Sequence, residues 1–356
     1  MSDAQNRGAD QSGDPLAAAL RHAQDGHAIA VARVIGTWGS APRPVGSVMT
    51  IDASGHIAGS VSGGCVEAEV AATASDILGG AASRVMSFRI GSADAQAAGL
   101  ACGGELEVLV EPVRPDGLPL ALLGGAIAAR QARRPSVLLT RLEAGAPRTT
   151  ALLLEHDFSD APAGLDGDVR DAVATGISRR AVDTTGAPWF LHVLAPKPRL
   201  LIVGGVHIAQ ALAPLATRVG YEVMVIDPRE GLATGERFPD VACSDLWPDE
   251  ALEAAGIDAE TAIVALTHDE KLDDPALAMA LRSGAAYVGA LGSRRTQRLR
   301  LERLAQDGLD EAMLGQLRGP IGLAIGAVGA EEIAISILAE IIAVRRAGPL
   351  ALRQGW

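Results

Sequence analysis

The segment from residue 199 to residue 227 limits the fold of this chain more than any other feature. A short apolar run, Arg199–Val203, leads into the turn 204–209 (GGVHIA), and a helical pattern follows the turn. A second apolar run ends at Asp227, about 20 residues after the glycines. A strand, a glycine turn, a helix and a second strand that ends in an acid form the layout of a dinucleotide-binding βαβ unit. The pattern predicts a Rossmann-type domain with a doubly wound parallel sheet.

One position departs from the dinucleotide-binding pattern. The glycine that normally lets the backbone approach a pyrophosphate is Val206 here, whereas Ala209 is an accepted residue at the third position. The branched side chain of Val206 would crowd a nicotinamide dinucleotide, yet Asp227 could accept hydrogen bonds from ribose hydroxyls. Two interpretations stay open: ordinary NAD(P) binding, and a Rossmann-shaped scaffold with an altered pocket.

Two further βα repeats carry polar loops after their strands. Strands are predicted over 262–266 and 287–291, and the residues that follow them are 267–269 (THD) and 292–295 (GSRR). Ligands of such sheets bind beyond the carboxyl ends of the strands. We therefore expect these loops, the glycine turn and the loop 319–322 (GPIG) to share one edge.

Individual residues at this edge suit an anionic ligand. Ser293 is expected to cap the helix that begins near Arg294, where the arginine adds positive charge to the amides of the first turn. His207 and His268 are candidate donors toward a phosphate. The alternative is a capped helix with solvated arginines and surface histidines. The segment 273–275 (DDP) is interpreted as an N-cap with proline at the first helical position.

The first half of the chain mixes helices and strands without this repeat, and it places two cysteines beside glycines. Cys65 follows Gly63 and Gly64 at the predicted start of a helix, and Cys102 precedes another glycine pair. Arg43 lies in a proline-rich loop before a strand. A helix N-terminus lowers the pKa of a thiol, and thiolates are soft ligands and nucleophiles. The alternative is a small buried cysteine in a tight turn.

The segment 196–198 (PKP) is the predicted domain boundary, because two prolines stiffen the chain and exclude helix. The segment 156–185 is predicted to be irregular. The expected organisation is a disordered tail over 1–14, an α+β domain over 15–195, a Rossmann-type domain over 199–346 and a tail over 347–356.

Composition and charge exclude several classes of function. Aromatic residues make up 3% of the chain and the net charge is −12, which disfavours nucleic-acid binding through stacking and phosphate contacts. No apolar run is long enough to span a bilayer, and the start of the chain lacks a signal peptide. Three cysteines without CxxC spacing argue against a disulfide scaffold or structural zinc. The expected location is the cytoplasm, without a membrane or nucleic-acid partner.

Together these segments resemble the XdhC/CoxI family of xanthine dehydrogenase accessory proteins, across both predicted domains. The resemblance is carried by 39–46 (GSAPRPVG), 59–67 (GSVSGGCVE), 99–111 (GLACGGELEVLVE), 226–229 (IDPR), 267–275 (THDEKLDDP), 289–295 (GALGSRR) and 319–326 (GPIGLAIG). Two positions depart from the family. The usual Gly-Ala-Gly-His turn reads GGVH at 204–207, and the acid of the last motif is Ala324, which removes a carboxylate there.

The resemblance implies a role in molybdenum-enzyme maturation rather than catalysis. Such proteins are thought to bind molybdenum cofactor, as molybdopterin or its dinucleotide form. They shield it while a cysteine desulfurase installs a terminal sulfur, and they assist its insertion into a client molybdenum hydroxylase. The implied cofactor-binding residues are Arg43, Gly63, Gly64, Cys65, Cys102, Gly204, Gly205, His207, Asp227, His268, Ser293 and Arg294. No catalytic residue or metal ligand is assigned.

Two rival functions stay open on the sequence. An NAD(P)-dependent oxidoreductase is favoured by Asp227 and opposed by Val206 and by the lack of an evident acid–base pair for hydride transfer. An interaction or regulatory module with a degenerate Rossmann domain would bind partners without any small ligand. The apolar helix predicted over 330–344 leaves a homodimer open.

Overall fold

The computed structural model describes residues 14–39, 41, 43–64, 66–90, 104–142, 148–154, 158 and 160–346. The chain divides into two compact units, unit 1 (Met1–Pro196) and unit 2 (Lys197–Trp356). The division falls inside the 196–198 segment. Each unit has its own sheets and its own hydrophobic clusters.

Unit 1 combines helices with two antiparallel sheets. Its helices are α1 (Pro15–Gln24), α2 (Glu67–Leu78), α3 (Leu120–Gln131) and α4 (Asp166–Thr175). Its strands are β1 (Ile29–Gly39), β2 (Val48–Asp52), β3 (Ile57–Gly59), β4 (Arg84–Ile90), β5 (Gly104–Pro112), β6 (Ser136–Arg141), β7 (Arg148–Leu154), β8 (Arg179–Val182) and β9 (Pro188–Leu194). The strand orders are β3-β2-β1-β5-β4 and β7-β6-β9-β8.

Local sequence accounts for the first elements of unit 1. Asp14 caps α1 by accepting a hydrogen bond from the backbone N–H of Leu16 (3.1 Å), and Pro15 takes the first helical position. The strand β1 is an almost continuous apolar run because both of its faces are covered, and its alternate residues pack into two separate cores. Arg33 is the exception within the strand, since it is fully buried and charged.

Unit 2 is a doubly wound parallel sheet, which confirms the predicted fold class. Its helices are α5 (His207–Arg218), α6 (Pro248–Ala255), α7 (Glu270–Arg282), α8 (Arg294–Gln306), α9 (Glu311–Leu314) and α10 (Gly329–Arg345). Its strands are β10 (Arg199–Val203), β11 (Glu222–Ile226), β12 (Ala242–Ser244), β13 (Thr261–Ala265), β14 (Tyr287–Ala290) and β15 (Leu317–Arg318). The order β12-β11-β10-β13-β14-β15 is the Rossmann order.

Two regions differ from what the sequence pattern predicts. The segment 156–185, expected to be irregular, contains α4 and β8. Only Val169 and Ala172 of α4 are buried, and so narrow an apolar stripe gives a weak helical pattern. The segment 242–244, for which the sequence predicts no strand, forms β12, a three-residue edge strand too short to show alternation.

The helix α7 begins one turn earlier than the 273–275 segment indicates. Asp269 is the N-cap and accepts a hydrogen bond from the backbone N–H of Lys271 (3.0 Å). Asp273 and Asp274 are buried within the helix, and Pro275 lies inside it. The N-cap interpretation of 273–275 is therefore wrong, because Asp269 supplies the capping oxygen and releases Asp273 for a tertiary contact.

Candidate functional site

Loops at the carboxyl ends of the unit 2 strands form the edge that a Rossmann ligand would contact. The strands β10 and β13 are neighbours where the strand order reverses. Gly204 follows β10 with a φ of +114°, and a Cβ atom there would lie 2.8 Å from Cγ2 of Thr267. A side chain would be both strained and crowded, so glycine allows the two loops to meet. The residues after β10, β11, β13 and β14 thus share one edge.

The side chain of Asp227 faces the protein interior at this edge rather than the solvent. Its side chain accepts hydrogen bonds from Gly205 N–H at Oδ2 (2.8 Å) and from Arg229 at both oxygens, and the residue is 1% exposed. Burial alone would raise the pKa of Asp227, but the hydrogen bonds from Arg229 and Gly205 outweigh it and lower the pKa. The carboxylate is engaged inside the protein, which differs from the ribose contact expected from the sequence.

The loop between β11 and β12 packs directly against the glycine turn. A Cβ atom on Gly205 would overlap the carbonyl group of Leu232, so only glycine permits this approach. Arg237 holds the loop by donating to Leu232 O (3.0 Å) and to Oε1 of Gln210 on α5 (3.3 Å). The amide of Gly205 is already bonded and Val206 occupies the approach position, so the turn is not arranged like that of an ordinary NAD(P) site.

Arg229 is a residue of this edge that the site assignment from the sequence missed. Its Nε donates to Oδ1 of Asp227 (2.9 Å) and its Nη2 donates to Oδ2 (2.7 Å), which makes a bidentate pair. The hydrogen bonds to Asp227 raise the pKa of Arg229, and its side chain is 40% exposed. The signal available in the sequence was an acid and an arginine two positions apart directly after a buried strand.

The remaining candidates of unit 2 lie on the surface of the same edge. His207 is the first residue of α5, and His268 has a φ of +62° in the loop after β13; both are exposed. Ser293 caps α8 by accepting a hydrogen bond from Thr296 N–H (3.1 Å), as the sequence predicts. Arg294 is exposed and makes no hydrogen bond or ion pair with the part of the chain that the structure describes. These groups can meet an anion from solvent.

A buried polar group beneath the edge fixes two of its loops. Asp273 accepts a hydrogen bond from the hydroxyl of Thr267 (2.7 Å) and lies 3.4 Å from Nη2 of Arg300. The same guanidinium nitrogen donates to Leu291 O (3.1 Å). Burial raises the pKa of Asp273, while Thr267 and Arg300 oppose that rise. The cluster ties the loop after β13 to the loop after β14.

In unit 1, the glycines that precede Cys65 lie in a loop held by one carboxylate. Glu67 accepts hydrogen bonds from Ser62 N–H (2.9 Å), from the Ser62 hydroxyl (2.7 Å) and from Gly64 N–H (3.0 Å). Burial would raise the pKa of Glu67, but the bonds from Ser62 and its neighbours lower it. Gly63 and Gly64 are both exposed. The loop is a fixed surface turn, and Glu67 was not among the sequence candidates.

The loops of unit 1 that carry candidates start from one end of the five-stranded sheet. Gly104 pairs with both Gly39 and Ile90, and Ser60 N–H bonds to Val48 O (3.0 Å). Arg43 is exposed in the loop between β1 and β2, which begins at this end. Cys65 and Cys102 lie outside the described residues. Gly104, the first described residue after Cys102, begins β5 at this end of the sheet.

Comparison with known proteins decides the family. Residues 200–341 match the XdhC Rossmann domain, and residues 22–89 match the XdhC and CoxI family. The protein of Escherichia coli (strain K12) named molybdenum cofactor insertion chaperone PaoD is 30% identical over 307 residues, 86% of this chain and 80% of that protein. The chain belongs to the XdhC/CoxI family.

Two other similarities extend over nearly the whole XdhC/CoxI chain. A protein of Bacillus subtilis (strain 168), named as a probable subunit of xanthine dehydrogenase, is 28% identical over 336 residues, 91% of this chain and 95% of that protein. The crystal structure of a xanthine dehydrogenase (BH1974) from Bacillus halodurans has a TM-score of 0.74 and 25% identity, covering 94% of this chain and 96% of that chain. Both units of this XdhC/CoxI protein are thus represented in relatives.

A sealed polar network inside unit 1 of this XdhC/CoxI chain was not predicted from the sequence. Arg33 on β1 is ion-paired with Glu111 on β5, and the same guanidinium donates to the hydroxyls of Thr140 and Thr149 (both 2.8 Å). The network joins the two sheets. Arg33 stands within the apolar run 29–35 and Glu111 directly follows the apolar run 108–110, which is the signal that could have identified them.

His192 extends this network to the loop before β2. Its Nε2 lies 3.1 Å from Gly46 O and its Nδ1 lies 3.4 Å from Nη1 of Arg33. A neutral ring that donates from Nε2 and accepts at Nδ1 satisfies both partners. Burial, together with the positive charge of Arg33, lowers the pKa of His192 to about 3. The histidine is therefore neutral at physiological pH and anchors the loop that carries Arg43.

No metal-binding group and no membrane span is found in the described ranges. These residues contain no set of three or more His, Cys, Asp or Glu side chains placed to hold a metal ion. Within the same ranges, none of the helices combines the length and the apolar composition that crossing a bilayer demands.

Proposed function

We propose that this protein binds molybdenum cofactor, shields it while a cysteine desulfurase installs a terminal sulfur, and assists its insertion into a xanthine dehydrogenase-type molybdenum hydroxylase. The observation that carries the proposal is the similarity to a protein named as a molybdenum cofactor insertion chaperone, which spans most of both chains. The similarity to a probable component of xanthine dehydrogenase supports the class of client. Such a role needs binding groups and partner surfaces, and no turnover of its own.

The phosphate of the cofactor is proposed to bind at the carboxyl edge of unit 2. The helices α5 and α8 both begin there, and their first-turn amides attract anions. His207 and Arg294 add exposed donors beside these helix starts, and Ser293 holds the start of α8 in place. Such donors suit the phosphate of molybdopterin and the pyrophosphate of its dinucleotide form equally.

Cys65 and Cys102 of unit 1 are proposed to contact molybdenum cofactor through their thiols. Thiolates are soft ligands that suit a metal bound to dithiolene sulfur. The loop that carries Cys65 starts after β3, and Gly104 begins β5 two positions after Cys102; both strands end on the same side of the five-stranded sheet, which supports a shared role. The loop that carries Arg43 starts from that end as well, and hydrogen bonds to Glu67 from Ser62 N–H and Gly64 N–H fix the glycine turn.

The exposed face of α10 is proposed as the contact between two copies of the chain. Ile335 and Ile342 are 51% and 38% exposed on this face, Glu331 lies near its start and Arg346 directly follows its end. In an antiparallel pair related by a two-fold axis, Ile335 faces Ile342 of the second copy while Glu331 faces Arg346. Apolar and charged positions then match in both directions.

Light scattering on size-exclusion fractions tests the pairing. Ile335→Glu is expected to shift the protein to a monomer, because the charge would be buried at the centre of the contact. Leu299→Glu, an equally exposed apolar position on α8, serves as the matched control. A wild-type monomer, or a dimer that survives Ile335→Glu, would contradict the proposed face.

Reconstitution of an apo molybdenum hydroxylase tests the main proposal. The hydroxylase is incubated with molybdenum cofactor and a cysteine desulfurase, with and without this protein, and its activity is followed. We expect faster and more complete activation with the protein present, together with molybdenum and pterin retained on it after gel filtration. No retained pterin and an unassisted hydroxylase would end the proposal. Tight NADH binding, detected by nicotinamide fluorescence, would instead favour the oxidoreductase alternative.

A further inference from the structure

We infer that Arg229 is an anion-binding residue of the carboxyl edge of unit 2, and that Asp227 is its positioning residue rather than a ligand to a ribose. The inference rests on the proposed function and names the chemistry that this edge recognises. A dinucleotide site presents an outward acid that accepts hydrogen bonds from ribose hydroxyls. Here the acid is turned inward and the exposed group is a donor, so the edge selects phosphate oxygens instead.

The geometry of the pair fixes the guanidinium and leaves part of it exposed. A guanidinium has five N–H bonds in one plane. Nε and Nη2 of Arg229 each donate to a different oxygen of Asp227, at 2.9 and 2.7 Å. Nη1 has no hydrogen-bond partner among the residues that the structure describes, and the side chain is 40% exposed. Because the guanidinium is already fixed through Nε and Nη2, its remaining N–H bonds can bind an anion with little further loss of side-chain entropy.

Backbone N–H groups fix the carboxylate of Asp227, which in turn positions Arg229. Its Oδ2 accepts the N–H of Gly205, and its Oδ1 also accepts the backbone N–H of Arg229 (3.1 Å). The carboxylate of Asp227 is buried, whereas the guanidinium reaches solvent. The negative charges of Asp269 and Asp273 also act on Arg229, so the contact with an anion rests on the free N–H bonds of the guanidinium rather than on net charge. An anion from solvent can therefore meet the free N–H bonds of Arg229 without first meeting the carboxylate of Asp227.

The surroundings argue against a nicotinamide dinucleotide as the anion. Arginine near this strand end can also accept the 2′-phosphate of NADP. However, the carbonyl of Leu232 packs over Gly205, and Arg237 fastens it there. Val206 also stands where pyrophosphate normally approaches, which disfavours a nicotinamide dinucleotide along the turn. A phosphate or pyrophosphate group remains as the anion that the free N–H bonds of Arg229 suit.

Calorimetric titration of the full-length protein with inorganic pyrophosphate, at low ionic strength, tests the assignment. Arg229→Gln is expected to weaken binding about tenfold or more, because a charge-assisted hydrogen bond is lost. Arg229→Lys retains the positive charge but lacks the planar guanidinium, so it should bind pyrophosphate with intermediate affinity. Arg282→Gln is the matched control, since Arg282 ends α7 at the opposite edge and bonds to Asp307 O.

Unchanged pyrophosphate affinity in folded Arg229→Gln would overturn the inference, and so would NADPH binding tighter than pyrophosphate. If Arg229→Gln does not fold, wild-type affinity in Arg229→Lys would overturn it as well. The outcome is separable from that of the chaperone proposal. A wild-type protein that activates the hydroxylase while Arg229→Gln does so equally well refutes the role of Arg229 alone. Arg229-dependent pyrophosphate binding without any cofactor retention refutes the chaperone role alone.

Discussion

Each unit contains an arginine paired with a buried carboxylate, and the two pairs differ in the solvent exposure of the arginine. In unit 1, Arg33 and Glu111 are both fully buried, and hydroxyls of two threonines complete the contacts. In unit 2, Asp227 is buried but Arg229 reaches solvent. A sealed pair can only hold two sheets together, whereas a pair with one exposed partner can also bind a ligand. Exposure of one partner, rather than the presence of a charge pair, separates the structural site from the candidate site.

The largest effect is expected from breaking the sealed pair. Glu111→Ala should lower the free energy of unfolding of unit 1 by about 3–5 kcal/mol, because Arg33 would be left buried without its counter-charge. Urea unfolding followed by the fluorescence of the buried Trp189 measures the loss. Glu105→Ala on the same strand is the control, since its pair with Arg89 is exposed and should cost at most about 1 kcal/mol. Equal losses in the two variants would contradict the comparison.

An intermediate effect is expected from acid, through His192 in the sealed network. The folded state keeps His192 neutral down to about pH 3, whereas the unfolded state takes up a proton below the ordinary pKa of 6.5. The unfolded state therefore binds more protons in that window, and stability falls as the pH falls. From pH 7 to pH 5 this residue should cost unit 1 about 2 kcal/mol.

Urea titrations at a series of pH values check the contribution of His192. His192→Gln should remove this part of the pH slope, although it also lowers stability at pH 7. His56→Gln, at an exposed position, should keep the wild-type slope. A wild-type slope in His192→Gln would show that the network does not hold the ring neutral.

The smallest effects are expected at the open edge of unit 2. Ser293→Ala removes the N-cap of α8 and should cost about 1 kcal/mol. Arg294→Gln should change stability by less than about 0.5 kcal/mol, since surface substitutions away from structural contacts rarely cost more. Denaturant unfolding of unit 2 measures both. In a pyrophosphate titration, Arg294→Gln should bind more weakly than Ser293→Ala. If Arg294→Gln loses as much stability as Ser293→Ala, Arg294 has a structural role instead of a binding role.

Local patterns predicted the elements that depend on neighbouring residues. The bounds of β10 and β11 follow from compact apolar runs, and Ser293 caps α8 as its position before a helical pattern indicates. The parallel direction of the strands follows from the βα repeat, because parallel strands need crossover connections. The helix α4 shows the limit: with only two buried positions, its local pattern is too weak to separate it from a loop.

The sequence predicted where the candidate site lies but not how its side chains are oriented. The loops at the carboxyl edge were expected to meet, and His207, His268 and Arg294 do lie there. Asp227 was expected to face a ligand and instead bonds to Gly205 and Arg229. The direction of a short acidic side chain depends on which donors the fold brings near it, and a sequence motif does not record that.

The amino-acid sequence by itself determined the two-part α/β organisation, the Rossmann alternation of unit 2 and its glycine turn, since periodicity and turn chemistry act over a few residues. Only the tertiary structure decided which charged side chains are buried and which are exposed to solvent. Arg33 and Glu111 are 78 positions apart, and Asp273 and Arg300 are 27 apart. Whether such groups meet depends on how sheets and helices pack, and burial then fixes whether the pair serves stability alone or also presents a donor to solvent.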